Sequence, residues 1–116
     1  MDVADVRRIA MALPEATEEP HFDMTSFRVR HKIFATVPPD GDRLHVFVDE
    51  HETKATVADD PDTFEELWWG KTLSGLRVHL ASADPDRIAE LLEEAWRRKA
   101  PKRLVTELDE RSGLDG

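Results

Sequence analysis

The sequence predicts an α+β domain, an antiparallel β-sheet with the N- and C-terminal helices packed on one face. Three observations predict it. Apolar residues recur at helical spacing near the N-terminus, the segment from Phe27 to Val48 alternates with a period of two, and the strongest helical stripe comes only after Asp84. This order of helix, strands and helices lacks the β-α-β alternation of a doubly wound sheet. At 116 residues the chain has one domain's length and enough material for a core without staples. No repeat, low-complexity tract or linker divides it, so residues 1–116 read as a single domain.

Val3, Val6, Ile9, Ala10 and Leu13 define an amphipathic first helix that ends near Pro14, with Arg7 and Arg8 facing away. The acidic stretch from Glu15 to Asp23, with Pro20 in it, reads as a loop. Phe27 and Val29 then alternate with Arg28 and Arg30. Ile33, Ala35 and Val37 alternate with Phe34 and Thr36, and Leu44, Val46 and Val48 with His45 and Phe47. Tight connections, including the cluster Pro38-Pro39-Asp40-Gly41-Asp42, make these three strands an antiparallel meander. Asp49 to Asp60 is polar, with Ala55, Val57 and Ala58 as weak anchors, and reads as a short helix or irregular segment. Asp60-Pro61 is a helix start signal. Phe64, Leu67 and Trp68 suit one helical face, yet Phe64 to Trp69 also suits a strand, and local pattern leaves both open.

Leu76, Val78 and Leu80 alternate with Arg77 and His79 as a further strand. Asp84-Pro85-Asp86 opens the clearest helix, in which Asp84 can accept from free first-turn N–H groups and Asp86 complements the dipole. Ile88, Leu91, Leu92, Ala95 and Trp96 form its apolar stripe, and Pro101 breaks it. Leu104, Val105 and Leu108 suggest one more short helix, with a frayed tail from Arg111 to Gly116.

Charge and composition limit the functions. The chain carries 16 basic and 25 acidic residues, a formal net charge of −9, and no cysteine. A disulfide framework, a thiolate metal site and a cysteine nucleophile are therefore excluded. The N-terminus lacks the pattern of a signal peptide, and no apolar run approaches the ~18 residues of a membrane span. The expectation is a cytoplasmic protein with no membrane partner. Such an acidic chain would repel DNA at long range, so a DNA site would need local basic clusters.

At this point particular residues carry a resemblance. Phe27-x-Val29-x-x-Lys32-Ile33-Phe34-Ala35 resembles the F-x-V-x-x-K-x-F-A signature of the MmcQ/YjbR-like family, with His21 upstream as in the family's His-Pro-type motif. Ala95-Trp96 and Ala100-Pro101-Lys102-Arg103-Leu104-Val105 resemble that family's final helix and ending. The likeness covers nearly the whole chain. His31 stands where the family often has Gly. Trp68 and Trp69 precede the following strand by several residues, with Leu76 at its start, where the family has a tryptophan. Ala95-Trp96 replaces a common Ser-Tyr pair. The resemblance implies a frataxin-like (CyaY-like) fold and a double-wing DNA-binding domain.

Two basic clusters are the candidate phosphate contacts. Arg28, Arg30 and Lys32 lie on a strand pair, where a β-ribbon can bind phosphate, against the plain alternative of a solvated strand face. Arg97, Arg98, Lys99, Lys102 and Arg103 make five of seven residues basic from 97 to 103, which suits phosphate or an acidic partner as well as a helix C-terminus. The acidic stretch Asp49-Glu50-His51-Glu52, with Asp59, Asp60 and Asp62, is a candidate metal ridge or simply a solubilising loop. His45 and His79 lie opposite the aliphatic rows and could be neighbours on the sheet. Trp96 belongs to a core stripe, while one of Trp68 and Trp69 should be exposed, free to stack on a base or anchor a partner.

Neither a nucleophile elbow nor a glycine-rich phosphate loop is present. The resemblance, together with the two basic clusters, implies a DNA-binding accessory domain, and the chain is expected not to be an enzyme, with no catalytic residue, metal or cofactor. The alternatives are an acidic protein-interaction or regulatory module and, by analogy with the frataxin fold, a metal-binding domain.

Overall fold

The computed structural model describes residues 1–115, with side chains through Arg111. The chain opens with α1 (Val3–Met11), where Asp2 and Asp5 form a reciprocal capping box. Then come β1 (Ala16–His21), β2 (Met24–Val29), β3 (Lys32–Val37) and β4 (Arg43–Val46), followed by α2 (Glu50–Asp59). β5 (Phe64–Trp69) and β6 (Thr72–His79) form a second hairpin. α3 (Pro85–Lys99) and α4 (Lys102–Asp115) close the chain. The strands make one antiparallel sheet in the order β1-β2-β3-β4-β6-β5.

One face of the sheet carries the core. Phe27, Val29, Leu44, Val46, Leu76 and Val78 cluster with Val6 and Ala10 of α1 and with Ile88, Leu91, Leu92, Ala95 and Trp96 of α3. α2 packs on β5 and β6 and reaches α3 through Thr56 and Arg87. Trp96 is fully buried, and its indole N–H donates to the Pro14 carbonyl at 3.0 Å, which ties α3 to the end of α1. Leu104 brings α4 into the same core.

Four expectations need correction. Residues 16–21 are an edge strand and not a loop. β1 pairs only with β2, so its polar residues meet solvent and Pro20 is tolerated. Asp60 does not start a helix. It terminates α2, and residues 64–69 are the outer strand β5, so Pro61 falls in the turn between them. The last helix is not short: it runs through Asp115, where a frayed tail was expected, and Gly116 lies outside the described residues. In β3 the simple alternation fails. Phe27 pairs with Ala35 but Arg28 with Ile33, so Phe34 is an extra residue in a bulge and both Phe34 and Ala35 enter the core.

The hairpin turns are tight. Arg30 and His31, between β2 and β3, have φ of +49° and +70°, and Phe22, between β1 and β2, has φ +57°. Where β6 crosses β4, only glycine fits: a Cβ on Gly75 would lie 2.2 Å from the Val46 carbonyl oxygen.

Candidate ligand cleft

The face of the sheet turned away from α1 and α3 forms a cleft of about 810 Å³. Its floor takes apolar residues from several strands, among them Met24, Ile33 and Leu67, and polar ones in a continuous cross-strand row. Register places Glu19 opposite Ser26, Ser26 opposite Thr36, Thr36 opposite His45, His45 opposite Arg77, and Arg77 opposite Glu65. The row thus crosses all six strands. Its β1–β2 end is internally bonded, Ser26 Oγ donating to the Glu19 carbonyl at 2.7 Å and accepting from Arg28 Nε at 2.9 Å. At the other end Glu65 binds the His79 ring and lies 3.9 Å from Arg77.

Two hairpins supply aromatic lips. Phe22, at the β1–β2 turn, is 91% exposed, and its ring meets that of His21 edge to face at 4.7 Å. Trp68 and Trp69, at the end of β5, are 50% and 80% exposed. The sequence expects one exposed tryptophan and the structure exposes both: the register slips between Leu67 and Trp68, and both residues line the cleft. These are three of the four exposed large apolar side chains among the described residues, so the exposure is concentrated in one place.

Charge around the cleft is mixed. Arg77, Arg98 and Lys99 line it together with Asp49 and Glu50. Arg98 donates to the Phe47 carbonyl at 2.6 Å, which holds the end of α3 against the loop after β4. His45 Nδ1 lies 3.4 Å from the buried Thr36 hydroxyl. Burial, and then the positive charges of Arg77 and Arg43, push the His45 pKa below its ordinary value, with Asp40 opposing weakly.

The expected phosphate contacts are dispersed. Arg28 is held against Ser26 and the Pro20 carbonyl. Arg30 makes two bonds to Glu15, at 2.6 and 3.0 Å, and that arginine holds the Glu15 carboxyl below the usual range. Arg103 reaches the same Glu15 at 3.9 Å, so the two clusters do meet, but across a carboxylate. Arg97 is committed to Asp109 at 2.7 Å and Glu93 at 3.4 Å. Lys32 is exposed beside the β2–β3 turn, and Lys102 and Arg103 line a shallow hollow on α4. Only Arg98 and Lys99 reach the cleft.

The acidic ridge is spent locally. Asp49 caps α2, Glu52 pairs with Arg87, and among the described residues no three His, Asp or Glu side chains converge as metal ligands. His45 and His79 lie on adjacent strands but face Arg77 and Arg43 respectively, not each other. No described helix is long and apolar enough to cross a membrane. Sequence reasoning had noted His45 and Arg77 as sheet residues opposite the aliphatic rows. It could not see that they stand side by side, because strand pairing is not written locally.

Comparison with known proteins follows the same outline. A family model described as YjbR matches residues 11–98. Uncharacterized proteins of Mycobacterium tuberculosis and Mycobacterium bovis are 30% identical over 119 residues, covering 87% of this chain and 90% of theirs. The crystal structure of the Deinococcus radiodurans protein DR2400, with domain DUF419, superposes with a TM-score of 0.71 at 20% identity, over 81% of this chain and 75% of that one.

Proposed function

The chain belongs to the YjbR family, and from that premise we propose that it is a nucleic-acid-binding domain, without chemistry of its own, that takes single strands in the open-face cleft. One observation carries the reading. Phe22, Trp68 and Trp69 stand exposed around the same cleft that Arg77, Arg98 and Lys99 line. Unpaired bases offer π-faces that stack on aromatic side chains at about 1–3 kcal/mol per base, and nearby cations follow the backbone. In a duplex those faces are covered, so single strands are the better fit.

In this proposal the β1–β2 and β5–β6 hairpins are the two wings of the double-wing description. The frataxin-like architecture and cytoplasmic action implied earlier belong to the same proposal. Phosphate contact falls to Arg98 and Lys99 from the expected set, joined by Arg77. Arg28, Arg30 and Arg97 are engaged within the chain, and Lys32, Lys102 and Arg103 lie away from the cleft. The Thr36–His45 pair supports a binding role over a catalytic one. Thr36 is 3% exposed, so its hydroxyl is poorly presented as a nucleophile.

A protein-interaction module is the second reading, favoured by the net charge of −9 and by Asp49 and Glu50 on the cleft wall. A partner with an aromatic anchor and a basic flank would satisfy both. Tryptophan fluorescence titrated with single-stranded and duplex oligonucleotides at two salt concentrations separates the readings. The proposal expects quenching by single strands, weaker binding of duplex, and loss with Trp69→Ala. No single-strand binding at low salt would move the assignment to a protein partner.

A further inference from the structure

The middle of the polar row differs from its ends. Ser26 and Glu65 are engaged by the chain's own groups. His45 Nε2, by contrast, has no hydrogen-bond partner among the described residues, since the Thr36 hydroxyl lies at Nδ1. Among the described residues Arg77 has a single ion pair, at 3.9 Å, to a carboxylate whose other oxygen is taken by His79. Both side chains are partly exposed and line the cleft, side by side across the β4–β6 pairing. The charged groups that bear on His45 are Arg77 and Arg43, with Asp40 alone opposing them. In a molecule of net charge −9 this is a locally positive floor.

From this juxtaposition we infer that Arg77 and His45 form a seat for a phosphomonoester, the terminal phosphate of a strand or of a free mononucleotide, between the aromatic lips of the cleft. The inference rests on the nucleic-acid reading above. A guanidinium offers several N–H donors in a fixed fork, and a phosphate monoester offers three strong acceptor oxygens. A neutral imidazole adds a donor at Nε2 when Nδ1 accepts from Thr36. The cleft has the volume that pockets for a single small ligand occupy, roughly 300–1,000 Å³. A chain end can stop on its floor, whereas an internal phosphodiester must enter and leave. Thr36 is a positioning residue here: it stands beside His45 on the neighbouring strand and, by bonding Nδ1, sets which ring nitrogen faces the ligand.

The test uses the full chain and a short single-stranded thymidine oligomer, with a free 5′-hydroxyl, a 5′-phosphate or a 3′-phosphate, together with free thymidine monophosphate. Binding is read by tryptophan fluorescence. A phosphorylated end should bind at least tenfold more tightly than the hydroxyl form. His45→Gln should reduce that preference and leave unphosphorylated oligomer binding in place, while Arg77→Gln should abolish the preference and weaken the unphosphorylated oligomer only by the loss of one backbone cation. Arg77→Lys should retain part of the preference. Thr36→Val should weaken it and Thr36→Ser restore it, which a purely structural role would not produce. If mononucleotide matches the phosphorylated oligomer, the seat serves free nucleotides. If the oligomers bind through Trp69 with no preference for a phosphate, the seat is wrong and the broader reading stands. If nothing binds, both fall.

Discussion

Phe22 adopts a backbone conformation that its side chain disfavours, at φ +57° in a two-residue turn, and points its ring into water. Left-handed backbone costs a non-glycine residue roughly 1–2 kcal/mol, least for Asn and Asp. Burial does not offset that cost, and the aromatic contact reported for the ring among the described residues is the edge-to-face one with His21; strain kept with so little local return points to a position held for use. Phe22→Asn should therefore raise stability, by about 0.5–1 kcal/mol in denaturant unfolding, while weakening ligand binding at the cleft. His31 is the control. It has φ +70° at the second turn position between β2 and β3, where hairpins favour glycine. His31→Gly should stabilise by a similar amount, about 1 kcal/mol or less, with binding unchanged. His45 adds a pH dependence. Burial and the adjacent arginines depress its folded pKa, so the unfolded chain gains a proton first as pH falls. Its contribution to stability should be constant above an unfolded pKa of about 6.5 and decline below it, until the folded pKa is also passed. Unfolding measured from pH 8 to 5 should show this decline, and His45→Gln should remove its share.

Helix α2 shows how an element can be positioned by few apolar contacts. Its buried residues are Thr53 and Thr56. Thr56 is satisfied, accepting from Arg87 at 2.9 Å and donating to Glu52 at 3.3 Å, but the Thr53 hydroxyl is fully buried with no hydrogen-bond partner among the described residues. An unsatisfied buried polar group costs about 1–3 kcal/mol, and valine has nearly the same shape. Thr53→Val should raise the midpoint of denaturant unfolding, whereas Thr56→Val should lower it by removing the hydroxyl's bonds to Arg87 and Glu52. The weak pattern of α2 also explains why sequence reading left it between helix and irregular segment. Elements with one apolar face were legible: α1, α3, β2, β4 and β6 each show their period, while in β3 the bulge at Phe34 interrupts it. β1 was not, because an edge strand with a polar outer surface resembles an acidic loop. β5 was not settled, because Asp60-Pro61 resembles a helix start although Asp60 closes the preceding helix. The cleft was legible only in fragments. Arg98 and Lys99 stood out by composition, and His45 and Arg77 by alternation. Their assembly depends on the register of five strand pairings and a slip at Leu67/Trp68, none of which any one segment encodes.

At the scale of the whole molecule the deciding quantity is how many cations a bound strand can engage. The eight arginines and lysines expected as phosphate contacts would give a steep dependence on salt. Counterion release from single strands lowers log affinity against log salt with a slope of about −0.7 per phosphate neutralised, so eight contacts correspond to about −6. The structure commits several of those residues to Glu15, Glu93 and Asp109 and leaves Arg77, Arg98 and Lys99 at the cleft, for which the slope is about −2. The remaining field is repulsive. With net charge −9 spread over a body measuring 36 × 31 × 29 Å, approach of a polyanion is slowed at low salt. It is released once the Debye length shrinks to about 10 Å near 0.1 M. Association should therefore accelerate with salt over the same range in which the bound state weakens. Stopped-flow fluorescence with a short single strand should show a rising on-rate and a faster rising off-rate, and the equilibrium slope should lie near −2 or shallower. A slope approaching −6 would return the interface to the two basic clusters, and the aromatic cleft would then have to be explained by another ligand.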